Sequence, residues 1–379
     1  MIEFWQLISP YILPIYYLSI FFVVVDILLD NRNPLKTHSY LLLLVLLPVL
    51  GLVIYLFFGQ NIRKKKIIAK RQFINQAYGE NYLTHRVEKK YPFESLEDSD
   101  LRPFEKLIRF LNKDLSPFTI NNHVTILKNG EEKYPALFKA IKNARYHIHL
   151  EYYIFEEDAI GNELAELLME KARSDVKVRI LVDGVGSLSL SKSFITKMKD
   201  AGIEVAEFMP VLFPSFTSKI NYRDHRKIII IDGHIGFSGG MNISERYLNG
   251  PNTSPYWRDT HLMLEGESVK ALQFLFMLNW QFVTQQELEE DKYLFPTMAQ
   301  TGNHKVQING SGPHWELASI MDTFLLAINA AKNRIRIATP YFIPNESILN
   351  ALYTAAKSDV NVELMIPKDS DSWIVHAAS

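Results

Sequence analysis

The sequence predicts an α/β protein behind two N-terminal transmembrane helices, with one full α/β lobe followed by the start of a second copy. Three observations predict it: two long uncharged apolar runs within the first sixty residues, alternating strand-like and helix-like segments from about His123, and an internal repeat at an offset of 184 to 187 residues. The expected division is 1–59 for the two spans, 60–118 for a juxtamembrane connector, 119–300 for the first lobe and 301–379 for an incomplete second lobe. A chain of 379 residues, 47% hydrophobic and 22% charged, is long enough for this. The net charge of −1 gives no global attraction to nucleic acid or anionic lipid. With no cysteine in the chain, disulfides, thiolate nucleophiles and zinc–thiolate sites are excluded.

Phe4 to Val25 and Tyr40 to Phe58 contain no charged residue. At about 1.5 Å per residue, each run spans a hydrocarbon core of roughly 30 Å. Pro10, Pro14, Pro48 and Gly51 suit a membrane helix better than a soluble one, and Asp26 falls near headgroup depth. Only Glu3 is charged ahead of the first run, so a cleaved signal peptide with a basic leader is disfavoured. The loop between the runs carries Arg32 and Lys36, whereas the segment after the second carries Arg63, Lys64, Lys65, Lys66, Lys70 and Arg71. That excess of basic residues puts the C-terminal side in the cytoplasm and, with two spans, the N-terminus as well. The basic cluster can also hold the chain against anionic headgroups.

In the connector, Phe104 to Leu111 reads as a helix. The first lobe then opens with a strand over His147–Phe155, a helix over Glu163–Arg173, a β-branched strand over Val176–Val182, a helix over Ser191–Ala201 and a short strand over Glu204–Phe208. The second lobe repeats this order. Ile148-His149-Leu150 resembles Ile335-Arg336-Ile337, and Ser174-Asp175-Val176 recurs as Ser358-Asp359-Val360.

The chemistry is carried by His225-Arg226-Lys227, four isoleucines, Asp232, and then Gly239-Gly240-Met241-Asn242, a pattern of H-x-K-x4-D-x6-G-G-x-N. Alternation along a strand places His225 and Lys227 on one face and Arg226 on the other. A neighbouring ammonium favours a neutral, nucleophilic imidazole, and Lys227 can neutralise phosphate oxygens. Gly239 and Gly240 allow close approach of backbone to a ligand, and Asn242 can donate an amide N–H to the same space. Asp232 lies seven residues beyond His225, too far along a straight strand to touch it, so its expected role is structural or indirect. No Walker loop or EF-hand loop occurs, and a phosphate site of this kind needs no metal or other cofactor.

These residues resemble the signature of the phospholipase D superfamily, and within it the chain is similar to bacterial cardiolipin synthases. Glu151-Tyr152-Tyr153-Ile154-Phe155, Tyr256-Trp257-Arg258-Asp259-Thr260-His261 and Thr339-Pro340-Tyr341-Phe342-Ile343-Pro344 extend the likeness, as do the paired spans and their basic flank. The resemblance implies two phospholipase D-like α/β lobes sharing one active site, the second truncated here. It implies an anionic phospholipid substrate, phosphatidylglycerol, in the bacterial inner (cell) membrane, with the catalytic domain cytoplasmic and no nucleic-acid partner. His225 becomes the nucleophile or acid, Lys227, Asn242, Gly239 and Gly240 hold phosphate, Asp232 completes the motif and Asp259 is a candidate to orient a histidine.

The pattern departs from that family in one respect: no second H-x-K occurs. The repeat offset would put its histidine near position 409, beyond Ser379. A fragment of a longer enzyme, a homodimer pairing one motif from each chain, and an inactive headgroup-binding remnant are the three readings, and the fragment is favoured. A phospholipase D or nuclease using water as acceptor is the alternative activity.

Overall fold

The computed structural model describes residues 2–29, 34–58, 99–113, 116–210, 222–248, 256–288, 292–298, 301–312 and 319–368. The basic cluster at 63–71 and the apolar stretch 373–378 lie outside the described residues.

Among the described residues the N-terminal unit has three helices: α1 (Ile2–Leu29), α2 (Pro34–Leu46) and α3 (Pro48–Phe58). The second apolar run is therefore not one helix. It breaks at Leu47, immediately before Pro48, which has no N–H to continue the ladder. Ile27, Leu44 and Tyr55 are buried together, and the Tyr55 hydroxyl donates to the Asp26 carboxylate. Among the described residues, no helix is long and apolar enough to cross a membrane; the side chains of residues 2–9, 12 and 13 in α1 lie outside that set.

The second unit is a mixed α/β fold around an eight-stranded sheet. After α4 (Glu105–Lys113), its elements run β1 (Phe118–Lys128), α5 (Asn129–Lys142), β2 (His147–Tyr152), α6 (Ala159–Arg173), β3 (Lys177–Asp183), α7 (Lys192–Asp200), β4 (Glu204–Phe208), β5 (Lys227–Ile231), β6 (Ile235–Gly239), β7 (Thr260–Gly266), α8 (Ser268–Thr284) and β8 (His304–Gln307). The strand order is β4-β3-β2-β5-β6-β7-β1-β8. The three strands joined by helical crossovers, β2, β3 and β4, pair in parallel, while β5, β6 and β7 continue antiparallel from β2. β5 is thus central, and all five of its residues are buried.

The two faces of β2 follow the period of two. Ile148, Leu150 and Tyr152 join a core with Leu137, Ile141, Leu164 and Leu168 of α5 and α6. His147, His149 and Glu151 face α8 instead, meeting Gln273, Phe276 and Asn279. β8 hydrogen-bonds to β1 at the edge of this sheet, although the sequence assigns everything after 300 to the second lobe.

The remaining elements are α9 (Ser319–Ala330), β9 (Arg334–Ala338), α10 (Glu346–Lys357) and β10 (Asn361–Met365), the two strands again paired in parallel. The two strand–helix–strand units share fine detail. Asp158 caps α6 by accepting from Gly161 N at 2.9 Å, and Asn345 caps α10 by accepting from Ile348 N at 3.0 Å. Ser174 and Ser358 end the helices at φ −99° and −100°, and the following Asp175 and Asp359 both take left-handed φ, 64° and 62°. α6 has 15 residues and α10 has 12, so the three-residue change in offset is absorbed within the helix.

Candidate active site

His225 lies in the segment that feeds β5, and the ends of the neighbouring strands fix that segment. Asp183, buried at the end of β3, accepts from Val185 N, Gly186 N and Asp224 N at 2.8, 3.0 and 2.8 Å, and from Arg223 Nη1 at 3.2 Å. Arg226 points the opposite way from His225: its Nη1 is 3.2 Å from Glu151 Oε1. Asn279 of α8 donates to Glu151 at 2.7 Å and to Asp224 at 3.2 Å. Burial first, then the adjacent Asp224 carboxylate, push the Glu151 carboxyl well above its usual range against the pull of Arg226. His225 therefore stands on a buried polar floor whose members come from β2, β3 and α8.

The imidazole itself is on the exposed side, with its ring 4.6 Å from that of Tyr153. Lys227 Nζ donates to the His225 carbonyl oxygen at 2.9 Å and reaches Nδ1 at 3.3 Å. It also lies 5.5 Å from the Tyr153 ring centre. Partial burial of the ring and then the Lys227 charge lower the His225 pKa, so the neutral form dominates at neutral pH. Lys227 is itself buried, which brings its pKa to about 8 despite the opposing pull of Asp224 and Asp259. One N–H of Lys227 is spent on the His225 carbonyl, and the long contact to Nδ1 is weak enough to be exchanged for a phosphate oxygen.

The glycine pair has a different role from that expected. A Cβ on Gly239 would lie 2.6 Å from His261 Cα and 2.7 Å from its Nδ1, and one on Gly240 would overlap the Asp259 carboxylate. The space is filled by the start of β7, with Gly240 N donating to Thr260 O at 3.0 Å. Gly240→Ala is accordingly expected to destabilise the fold by about 1–3 kcal/mol, and Asp259→Ala in the same chain to recover most of that. Thermal melts of the two variants check it.

Asn242 is buried. Its Oδ1 accepts from Ile154 N at 3.2 Å and its Nδ2 donates to the Tyr247 hydroxyl at 3.0 Å, tying the glycine loop to the end of β2. Asp259 accepts from Thr260 N at 2.7 Å and lies against Gly240, while its pKa is raised by burial and moderated by Lys133, Lys227 and Arg258. Asp232 is not part of the cluster. It sits at the far end of β5, in a turn where it and Gly233 both have positive φ (52° and 66°), and accepts from Arg145 N, Tyr146 N and His147 N at 2.8, 2.8 and 2.9 Å.

Sequence pattern missed Tyr153, Asp183, Glu151, Asp224, Asn279, His261 and Lys133. Glu151, Tyr153 and His261 fall in segments that carry the family likeness but were given no role, and Asp183, closing the Val176–Val182 strand ahead of a glycine, also carried a local signal. The others matter because strands distant in sequence lie side by side.

A family model described as cardiolipin synthase, PLD-like domain, matches residues 137–253 and 324–379, and one described as phospholipase D-nuclease N-terminal matches residues 18–60. A cardiolipin synthase of Alkalihalophilus pseudofirmus is 40% identical over 370 residues, covering 96% of this chain and 72% of the relative. One from Geobacillus sp. is 38% identical over 363 residues, covering 95% and 71%. The crystal structure of phosphatidylserine synthase from Haemophilus influenzae superposes with a TM-score of 0.47 at 13% identity, over 69% of this chain and 66% of that one. With 40% identity maintained across nearly its whole length, the chain belongs to the cardiolipin synthase family of the phospholipase D superfamily.

Proposed function

We propose that the chain is a membrane-anchored phosphatidyltransferase that converts two phosphatidylglycerols to cardiolipin and glycerol through a phosphohistidine. The observation that carries this is the contact of the buried Lys227 ammonium with His225, 3.3 Å from Nδ1, in a chain of the cardiolipin synthase family. In the first half-reaction a ring nitrogen of His225 attacks phosphorus, the P–O bond to the terminal glycerol breaks, and glycerol leaves with a proton from an acid. In the second, a hydroxyl of another phosphatidylglycerol attacks the same phosphorus, the N–P bond breaks and the hydroxyl proton is taken up. Lys227 steadies the phosphoryl oxygens in both steps. Asn242 holds the glycine loop in place and has one amide N–H left for phosphate.

The acid is a second imidazole. In this reading residues 119–300 and 301–379 belong to two lobes that share one site, and the matching strand–helix caps support that. The second imidazole comes either from further chain after the second strand–helix–strand unit or from a homodimer partner. The two apolar runs, matched in part by the N-terminal family model, support two spans with the catalytic region cytoplasmic. A lipid acceptor is favoured over water because bilayer attachment serves a lipid substrate.

The test is product identity. Detergent-solubilised chain given labelled phosphatidylglycerol should, at the low rate left by a single motif imidazole, release glycerol and pass the phosphatidyl group to added phosphatidylglycerol; phosphatidic acid as the main product would assign a phospholipase D instead. Glycerol release needs neutral His225 and charged Lys227. It is therefore expected to rise as pH passes the depressed His225 pKa, below the ordinary imidazole range, and to fall above about pH 8 as Lys227 loses its proton. A rate still climbing at pH 9 would remove Lys227 from the chemistry.

A further inference from the structure

Helix α5 sends one lysine fully into the protein. Lys133 has no exposed surface, and its Nζ donates to the carbonyl oxygens of Met241 at 3.0 Å and Asn242 at 2.8 Å. The rings of Tyr134 and Tyr152 flank it at 5.0 and 5.1 Å. Among the described residues no carboxylate pairs with it directly. Full burial holds its pKa well below the ordinary lysine value; Asp259 is near enough to favour its charge, and Lys227 near enough to oppose it.

Strand register explains the location. Tyr152 pairs with Lys227 across β2 and β5, and Gly239 pairs with His261 across β6 and β7. Because Ile228 pairs with Ser238, Lys227 stands opposite Gly239, and the four residues form one row across the sheet. Lys133 reaches this row from α5, beneath the loop that carries Asn242. His261 in the row is buried with neither ring nitrogen partnered, and burial followed by Lys133 and Lys227 drives its pKa well down, so it adds no charge. Two lysines thus lie behind the nucleophile, and one half-buried carboxylate, Asp259, favours the charge of both. A methionine would fill the slot between the two tyrosines without desolvating a cation. An unpaired buried charge here makes sense when an anion arrives on the other side of Lys227.

We propose that Lys133 is a positioning residue for phosphodiester transfer: its ammonium sets the Met241–Asn242 backbone and supplies a second buried positive charge that the substrate phosphodiester neutralises. This rests on the phosphodiester reading of the His225 site.

The experiment is calorimetric titration of the full chain in detergent with glycerophosphoglycerol, the soluble phosphodiester headgroup, at pH 7 and pH 9. The groups facing Lys133 are Tyr134 on α5, Tyr152 on β2, Lys227 on β5, and Asp259 and His261 at the start of β7. Wild type is expected to bind more weakly at pH 9, because both lysines lose protons as pH rises. Lys133→Met is expected to bind at least tenfold more weakly at pH 7 and to show a shallower loss toward pH 9, with an unchanged melting profile. Lys227→Met should retain a pH dependence that comes from Lys133. Tyr134→Phe keeps the ammonium but removes the hydroxyl that donates to Ser244 O at 2.7 Å and lies 3.2 Å from Asn242 O, and should weaken binding a few-fold. A folded Lys133→Met with wild-type affinity and slope overturns the proposal. So does an unfolded Lys133→Met together with wild-type binding by Tyr134→Phe. If wild type itself does not bind the diester, the failure lies in the reading of the site, and the role of Lys133 falls with it.

Discussion

Alanine at His225 is expected to lower formation of the phosphatidyl–enzyme by about 10⁴-fold or more, the scale on which loss of a catalytic nucleophile acts. The reason is that, among the described residues, no other imidazole is placed to replace it. His261 is fully buried behind Gly239, and His147 and His149 face α8 on the opposite side of the sheet. The fold should tolerate the change, since the His225 side chain is exposed and its segment is held by backbone groups bonded to Asp183. The measurement is single turnover quenched in denaturant at alkaline pH, with lipid labelled at phosphorus, scored as alkali-stable, acid-labile label on histidine. Full turnover is a separate matter. A sequence with a single H-x-K has one imidazole for two roles, and absence of a general acid costs about 10² to 10⁴-fold. Membranes holding only this 379-residue chain should therefore make little cardiolipin even where His225 accepts a phosphatidyl group. Robust synthesis that disappears in His225→Ala would show instead that two chains pair their motifs, and crosslinking would then find the dimer.

Much of the fold was legible because its strands announce themselves by period and composition. Lys227 to Ile231 is an unbroken apolar run after one lysine, and it is a strand buried on both faces; Asp232-Gly233 is the turn that such a run needs. The repeat was legible for the same reason, since the helix ends recur as Ser-Asp-Val in both copies. What stayed hidden was whatever depends on strands meeting across long separations. Lys133 sits in Glu131-Glu132-Lys133-Tyr134, a context that reads as a solvated helix face, and only the packing of α5 over the row through Lys227 buries it. Asn279 and Glu151 are 128 residues apart, and nothing in either neighbourhood announces the other. The glycines misled for a related reason: a small residue marks a close approach without saying what approaches, and here β7 does. The second apolar run was legible as hydrophobic, but its break at Leu47 follows from one proline whose effect depends on context.

Asp232→Ala should cost about 3 kcal/mol of stability while leaving chemistry in the folded molecules intact. From His225 to Asp232 is roughly 23 Å of extended chain, so the carboxylate does not reach the reacting phosphorus. Its two oxygens instead gather three consecutive backbone N–H groups, those of Arg145, Tyr146 and His147, as the chain turns into β2, and Asp232 N returns a bond to His147 O at 3.0 Å. This clamp sets the register of β2 against β5, and that register brings Tyr152 beside Lys227 and Tyr153 beside His225. Bonds to an ionised acceptor contribute about 1.5–3 kcal/mol each when buried, but the sites at Arg145 and Tyr146 are open to water, so the three do not add in full. Substitutions should rank by what each retains. Asparagine keeps one acceptor oxygen but turns an NH2 toward a backbone donor, so it should lose less than alanine but well short of nothing. Glycine loses every acceptor yet accepts the positive φ of 52° without strain, and should fall between asparagine and alanine. Urea unfolding midpoints give the order. Phosphatidyl–enzyme yield per folded molecule, measured alongside, should stay within about threefold of wild type; an Asp232→Asn protein of normal stability that formed no phosphatidyl–enzyme would move this residue from the scaffold into the chemistry.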